Sequence, residues 1–274
     1  MDKIIEYMLE EDEGFGDITS NAVVEENKEV SAHIVSKDEG ILAGIDVIRS
    51  VFEEYGVSVI FWLKDGSEIA KDDLIMSVKG DARTILLLER TVLNLSMRMS
   101  GVATAANHYV NLVKDYDVRI AGTRKTSPAI AKYDKYALMI GGADTHRFSL
   151  DDMVLIKDNH IAVCESPLDA LLKAKENTSF SKKIEIEVET LEDAIDCVKN
   201  KADIVMLDNM SGAEVKEVIE ELKKLNIREN SLIEVSGGIT EDNILDYVEY
   251  GVDIISIGAL THSSRSLNFS LRID

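Results

Sequence analysis

From residue 118 onward the chain alternates short β-rich runs with amphipathic helical segments, and this rhythm restricts what it can fold into more than any other feature. Apolar, β-branched runs recur at 118–121, 153–156, 184–188, 203–207, 232–235 and 253–257, with helical periodicity between them at 167–176, 191–199, 213–225 and 241–250. Such alternation means parallel strands joined by crossover helices. Each run ends in something small or polar: Thr123-Arg124-Lys125, Lys157-Asp158-Asn159-His160, the series Glu185, Glu187 and Glu189, then Asp208-Asn209, Ser236-Gly237-Gly238 and Gly258. Successive ends lie 21 to 33 residues apart, the length of one βα unit. In a closed parallel barrel all of them converge on one face, where barrel active sites lie. Six strands do not by themselves prove closure, and an open doubly wound sheet fits the same pattern.

Ahead of this region the signals up to about residue 82 are strands, at 30–35, 41–42, 57–63 and 74–78, separated by polar turns. A helical stretch over 83–114, with Ser100-Gly101 as a candidate break, joins the two regions. No apolar run approaches the roughly 20 residues of a membrane helix. The N-terminus turns acidic at once and lacks an apolar signal core, so no export is expected and the expected compartment is the cytoplasm. Cys164 and Cys197 have no metal-ligand spacing and read as free, reduced thiols.

Charge narrows the partners. With 30 Lys and Arg against 51 Asp and Glu, the formal net charge is −21. Nucleic acid and anionic membranes would be repelled over most of such a surface. Yet residues 122–160 hold six Lys or Arg against five Asp, with His146 and His160 beside them. A locally basic segment in an acidic chain points to a pocket for small anions.

The strand ends supply the chemistry for such a pocket. Arg124, Lys125, Arg147 and Lys157 are four cations at or just after strand ends. An Arg fork matches a carboxylate, and Lys offers a compact charge for phosphate; the competing reading is a set of surface ion pairs. Glu185, Glu187 and Glu189 alternate with Ile and Val, so all three share one face of their strand, and Asp208 ends the next. If that face is the barrel interior, the carboxylates suit Mg²⁺ or a developing positive charge. An apolar interior with the glutamates outside satisfies the same alternation. The turns at Ser236-Gly237-Gly238 and Gly258 to His262 resemble the phosphate cradles of late barrel strands. His33 and His108 have no chemical neighbours in sequence and read as structural.

Taken together and in order, these motifs resemble the quinolinate phosphoribosyltransferase family. The resemblance is carried by residues 11–19, by Glu89-Arg90-Thr91-Val92-Leu93-Asn94 and Ser100-Gly101-Val102-Ala103-Thr104, by Thr123-Arg124-Lys125-Thr126, and by Gly141-Gly142 with His146-Arg147. Leu155 to His160, Leu207-Asp208-Asn209, Ser236-Gly237-Gly238 and Gly258 to His262 complete it. It implies an α/β protein with an N-terminal α/β sandwich domain, residues 1–104 joined by the tail 265–274, and an incomplete parallel α/β barrel over 105–264. It implies phosphoribosyl transfer from phosphoribosyl pyrophosphate to quinolinate with decarboxylation, a step of NAD biosynthesis that gives nicotinate mononucleotide. The residues implied to bind substrate are Arg90, Arg124, Lys125, His146, Arg147, Lys157, Ser236, Gly237, Gly258 and His262. Lys125, Glu187 and Asp208 are the implied catalytic groups, with Glu187 and Asp208 also holding Mg²⁺. A homodimer or larger homo-oligomer is implied, with Arg90 entering the partner's site.

The chain departs from the family pattern at several positions. Ala129, Ile130 and Ala131 replace the usual Gly-x-Arg, and Ala143, Thr145 and Ser149 replace residues that are commonly Gly, Asn and Gly. These changes bear on substrate choice. A paralogous group encoded with molybdate transport genes shares the fold and takes another small acid, while the intact Lys157-Asp158-Asn159-His160 favours quinolinate. A non-catalytic barrel that senses a dicarboxylate or nucleotide is the reading from a different class.

Overall fold

The computed structural model describes residues 2–274. In chain order the elements are α1 (Lys3–Glu13), α2 (Ile18–Val23), β1 (Glu29–Ser36), β2 (Gly40–Ile41), α3 (Ile45–Glu54), β3 (Ser58–Trp62), β4 (Glu68–Ile69), β5 (Leu74–Asp81) and α4 (Ala82–Leu112). There follow β6 (Arg119–Ala121), α5 (Ala131–Ile140), β7 (Val154–Ile156), α6 (Asp158–Ile161), α7 (Pro167–Asn177), β8 (Ile184–Val188), α8 (Leu191–Lys199) and β9 (Ile204–Asp208). The last are α9 (Gly212–Lys224), β10 (Leu232–Ser236), α10 (Leu245–Val248), β11 (Ile254–Ser256), α11 (Ala259–His262) and β12 (Phe269–Ile273). The chain divides into two compact units, one of residues up to 107 with 126–142 and 260–274, the other of 108–125 with 143–259. Among the described residues, no helix is long and apolar enough to cross a membrane.

The first unit is built on a four-stranded antiparallel sheet in the order β12-β1-β5-β3. Alternation in β1 sends Ala32 and Ile34 into the core, both fully buried. His33 faces the other way, its Nδ1 lying 2.8 Å from Ser77 Oγ and its Nε2 3.0 Å from Asp274 Oδ2, so it is a structural histidine. Between the strands expected before residue 82 stand the helices of an α/β sandwich, α1, α2 and α3. Asp2 caps α1 by accepting the Ile4 N–H at 3.1 Å. In α3, Ile45, Ile48, Val51 and Phe52 recur at helical spacing and are all buried. The candidate break at Ser100-Gly101 is corrected, since α4 runs through it without interruption. A Cβ on Gly101 would stand 2.2 Å from the Arg265 carbonyl oxygen, and Ser100 Oγ accepts the Ala43 N–H at 3.0 Å. The small pair therefore marks close packing rather than a helix end.

Residues 126–142 belong to this unit through a buried ion pair. Arg98 on α4 donates from Nε and Nη2 to the two carboxylate oxygens of Asp134 on α5, at 3.0 and 3.1 Å, and Asp134 is fully buried. Lys132 pairs with Asp2. Ala129, where the family has glycine, holds φ at +65°. A Cβ in that conformation costs about 1–2 kcal/mol. Ala129→Gly is expected to raise stability by about 1 kcal/mol in denaturant titration; an unchanged or lowered midpoint would show that the strain is relieved elsewhere.

The second unit is a six-stranded, all-parallel sheet in the order β6-β11-β10-β9-β8-β7. Its helices start on side-chain caps: Ser166 on α7, Thr190 on α8, and Ser211 with Glu214 as a capping box on α9. The C-terminal ends of all six strands line one cavity and their starts line another. The sheet is thus curled into a barrel. It remains open between β6 and β7, where Asp144 instead makes a single parallel bridge to Ala121. Helical pairing expected over 241–250 shrinks to α10. Asn243 explains the loss, because its Oδ1 accepts the Thr240 N–H at 2.8 Å and its Nδ2 donates to the Gly238 carbonyl at 3.0 Å. Cys164 and Cys197 are free, and burial pushes the Cys197 thiol up to about 12, which leaves it inert.

Candidate active site

The cavity at the C-terminal ends of the strands has a volume of about 670 Å³. Nine of the sequence candidates line it: Arg124, Lys125, His146, Arg147, Lys157, Glu187, Asp208, Ser236 and Gly237. Gly258 belongs to the same unit but is not among the lining residues. Arg90 and His262 belong to the other unit. There Arg90, 59% exposed, lines a cleft of about 300 Å³ with Glu11, Asp12 and Arg98, while His262 Nδ1 lies 2.6 Å from Ser263 Oγ.

The strand β8 decides the orientation of the glutamates. All five of its residues are buried, with Glu185 fully so and Glu187 8% exposed, whereas Glu189 lies beyond the strand and is exposed. Lys157, at the end of β7, donates from Nζ to Glu187 Oε2 at 2.5 Å. Burial, and then the charge of Glu187, raises the Asp208 carboxyl above its ordinary range, with Lys157 opposing. Two hard oxygen ligands that repel each other fit a divalent cation, and Mg²⁺ sites typically use one or two carboxylates with substrate phosphates completing the shell.

Beside them the backbone is shaped by residue type. Asn209 has φ +54°, its Nδ2 donates to Asp208 Oδ2 at 2.6 Å, and its N–H donates to the Ser236 carbonyl at 2.9 Å. Gly237 has φ +91°, and a Cβ there would stand 2.2 Å from Asn209 Oδ1. The turn therefore needs glycine on both counts.

The cations come from the loop after β6 and from the segment that follows Asp144. Lys125 is set by a 3.1 Å hydrogen bond from its N–H to Thr123 Oγ1. Burial and the neighbouring Arg124 pull the Arg147 pKa down, with Glu185 opposing. His146 sits among acids that sequence reasoning did not assign. Its Nε2 is 3.2 Å from Glu234 Oε2 and 3.3 Å from Glu185 Oε2, and both glutamates are fully buried. Burial lowers its pKa, but the two carboxylates outweigh that and push it up to about 10. The Arg147 N–H donates to His146 Nδ1 at 2.9 Å, which turns Nε2 toward the two carboxylates. Burial raises the Glu185 carboxyl above its ordinary range, with His146 opposing. Glu234 had a readable signal in sequence, since it shares strand parity with Ser236 two residues on.

Polar groups gathered at the C-terminal mouth of a parallel α/β barrel define an enzyme of the barrel class. The family models for quinolinate phosphoribosyl transferase match it in sequence, the N-terminal domain over residues 17–100 and the C-terminal domain over 102–272. A probable nicotinate-nucleotide pyrophosphorylase (carboxylating) of Methanocaldococcus jannaschii is 49% identical over 99% of this chain and 96% of its own length. Another of the same description, from Methanothermobacter thermautotrophicus, is 43% identical over 98% of each chain. The crystal structure of nicotinate-nucleotide pyrophosphorylase from Ehrlichia chaffeensis superposes with a TM-score of 0.93 at 34% identity, over 99% of this chain and 98% of that one. The chain belongs to the quinolinate phosphoribosyltransferase family.

Proposed function

We propose that the barrel cavity is the active site for nicotinate-nucleotide pyrophosphorylase (carboxylating) activity. The activity is the one named for relatives at 43–49% identity over nearly the full chain. Phosphoribosyl passes from phosphoribosyl pyrophosphate to quinolinate, and nicotinate mononucleotide, pyrophosphate and CO₂ are formed. The observation that carries this reading is the assembly of Arg124, Lys125, Arg147 and Lys157 with Glu187 and Asp208 in one cavity. Such a set suits a dicarboxylate and a pyrophosphate bound side by side.

In this reading Arg124, Lys125 and Arg147 hold the two carboxylates of quinolinate and aim its ring nitrogen at C1 of the ribose. Lys157 and the Ser236-Gly237-Gly238 backbone receive phosphate. Glu187 and Asp208 stabilise the positive charge that develops on the ribose as pyrophosphate leaves, and they would hold Mg²⁺. When bound, Mg²⁺ would neutralise charge on the pyrophosphate leaving group. Attack by nitrogen makes the pyridine ring cationic. The C–C bond to the adjacent carboxylate then breaks, its electron pair entering the ring, and a proton adds at that carbon.

The proposed domain division is 1–104 with 265–274 as the N-terminal domain and 105–264 as the catalytic barrel; the change of family model between residues 100 and 102 supports the first boundary and the pairing of β12 with β1 supports the place of the tail, while residues 126–142 pack with the first unit. The proposed enzyme is a cytoplasmic homodimer or larger homo-oligomer in which Arg90 serves the partner's site. Product analysis tests the activity. With quinolinate, phosphoribosyl pyrophosphate and Mg²⁺, CO₂ and nicotinate mononucleotide are expected in equal amounts, and nicotinate is expected to be a poor substrate. Folded protein that fails to turn over quinolinate would move the reading to another small acid.

A further inference from the structure

The His146-Arg147 segment closes the barrel where its strands do not. β6 and β7 are unpaired with each other, and the segment leaves Asp144 at its bridge to Ala121. The Gly122 N–H donates to the Asp144 carbonyl at 2.9 Å, and the Asp144 N–H donates to the Ile120 carbonyl at 2.8 Å. His146 and Arg147 line both the cavity at the strand ends and the one at the strand starts. They therefore form the partition between the two. His146 has φ +53°, a conformation that a residue with a Cβ leaves unless its surroundings hold it.

Its backbone is held locally, the His146 N–H donating to Asp144 Oδ1 at 2.8 Å and Thr145 Oγ1 donating to the His146 carbonyl at 2.9 Å, and its ring is held by a buried carboxylate. Glu234 reaches from β10 and hydrogen-bonds the ring at Nε2, 3.2 Å away, while Glu185, from β8, lies 3.3 Å from the same nitrogen with neither carboxylate oxygen hydrogen-bonded; both glutamates are fully buried. The opposite ring nitrogen accepts the Arg147 N–H at 2.9 Å. Both ring nitrogens are thus engaged by protein groups, which fixes the orientation of the imidazole. Its ligand atom and those of the two glutamates lie within 4.8 Å of one another, a spacing that could suit a metal ion. A metal on Nε2 would require the ring proton on Nδ1, where the Arg147 N–H already points.

We propose that Glu234 is a positioning residue: by holding the His146 ring, with the Glu185 charge beside it, it keeps the Arg147 guanidinium in place and sets the affinity for the dicarboxylate substrate. The proposal rests on the reading of Arg147 as a quinolinate ligand.

The test measures quinolinate and phosphoribosyl pyrophosphate Kd by calorimetry for Glu234→Ala, Glu234→Gln, Arg147→Ala and the Glu234→Ala/Arg147→Ala double variant. Glu234→Ala is expected to weaken quinolinate by about tenfold or more, because it strands a buried N–H. Its effect on phosphoribosyl pyrophosphate should stay within about twofold. Glu234→Gln retains an acceptor and should return quinolinate to within about threefold of wild type. In the Arg147→Ala background the Glu234 change should add less than about twofold.

Equal loss of both substrates, equal loss in the Ala and Gln variants, or full additivity in the double variant would overturn the proposal. So would one equivalent of tightly held metal in the purified wild type that Glu234→Ala removes. If Glu234→Ala does not fold, Glu234→Asp, which withdraws the carboxylate by one methylene, is read against the same outcomes. Wild type that binds quinolinate without turning it over would overturn the activity and still leave these ratios to be read. Wild type that does not bind it would overturn both.

Discussion

Glu187→Gln is expected to lower kcat by about 10²-fold or more while quinolinate affinity stays within about threefold. The substitution keeps the size and planarity of the side chain and removes one negative charge. Glu187 is nearly buried and receives the Lys157 ammonium at 2.5 Å, so its charge acts in a site partly shielded from water. In the ground state quinolinate is anionic and gains nothing from that charge. As the ribose takes on positive character, Glu187 and Asp208 become more favourable, and this gain belongs to the transition state. Single-turnover rates with calorimetric binding separate the two effects. A kcat within a few fold of wild type would remove Glu187 from the reaction, and a loss of quinolinate binding equal to the loss of rate would make it a binding group.

Arg147→Ala is expected to raise the quinolinate Kd by about 30-fold or more, with little change for phosphoribosyl pyrophosphate. Arg147 is 8% exposed, and burial together with Arg124 already pulls its pKa down, so the protein bears a cost to keep two guanidinium groups close. A dicarboxylate offsets that repulsion, which gives the site a preference for two negative groups over one. The discrimination between quinolinate and nicotinate should accordingly fall in Arg147→Ala, as competition titrations would show. Unchanged discrimination would assign the second carboxylate to Arg124 and Lys125 instead.

Much of this architecture is legible in the sequence because strands and their ends are local. The six parallel strands form within a residue or two of the β-rich runs, and each polar strand end reaches the barrel mouth except Gly258. The rest depends on pairings that local patterns do not carry. Glu185 and Glu187 share a face, yet one meets His146 and the other Lys157, which only the packing of separate strands decides. Residues 126–142 look continuous with the basic segment around them, but the buried Asp134 commits them to Arg98 and to the other unit. Lys132 goes the same way, to Asp2, and so supplies no cation to the barrel cavity. The helix α3 has plain amphipathic spacing; it is obscured by the strands on either side.

The strand order also bears on how the molecule is made. β6, at residues 119–121, finds its hydrogen-bonding partner in β11, at residues 254–256, and β1, at 29–36, receives β12, at 269–273. Both sheets are thus completed by strands far along the chain from the ones they join. Until these pair, β1 and β6 each present an open backbone edge, and the search for their partners is slow because contacts so distant in sequence come late. The cooperativity of each sheet therefore spans nearly its whole unit, so that loosening β11 or β12 frees an edge of a strand more than 130 residues earlier in sequence.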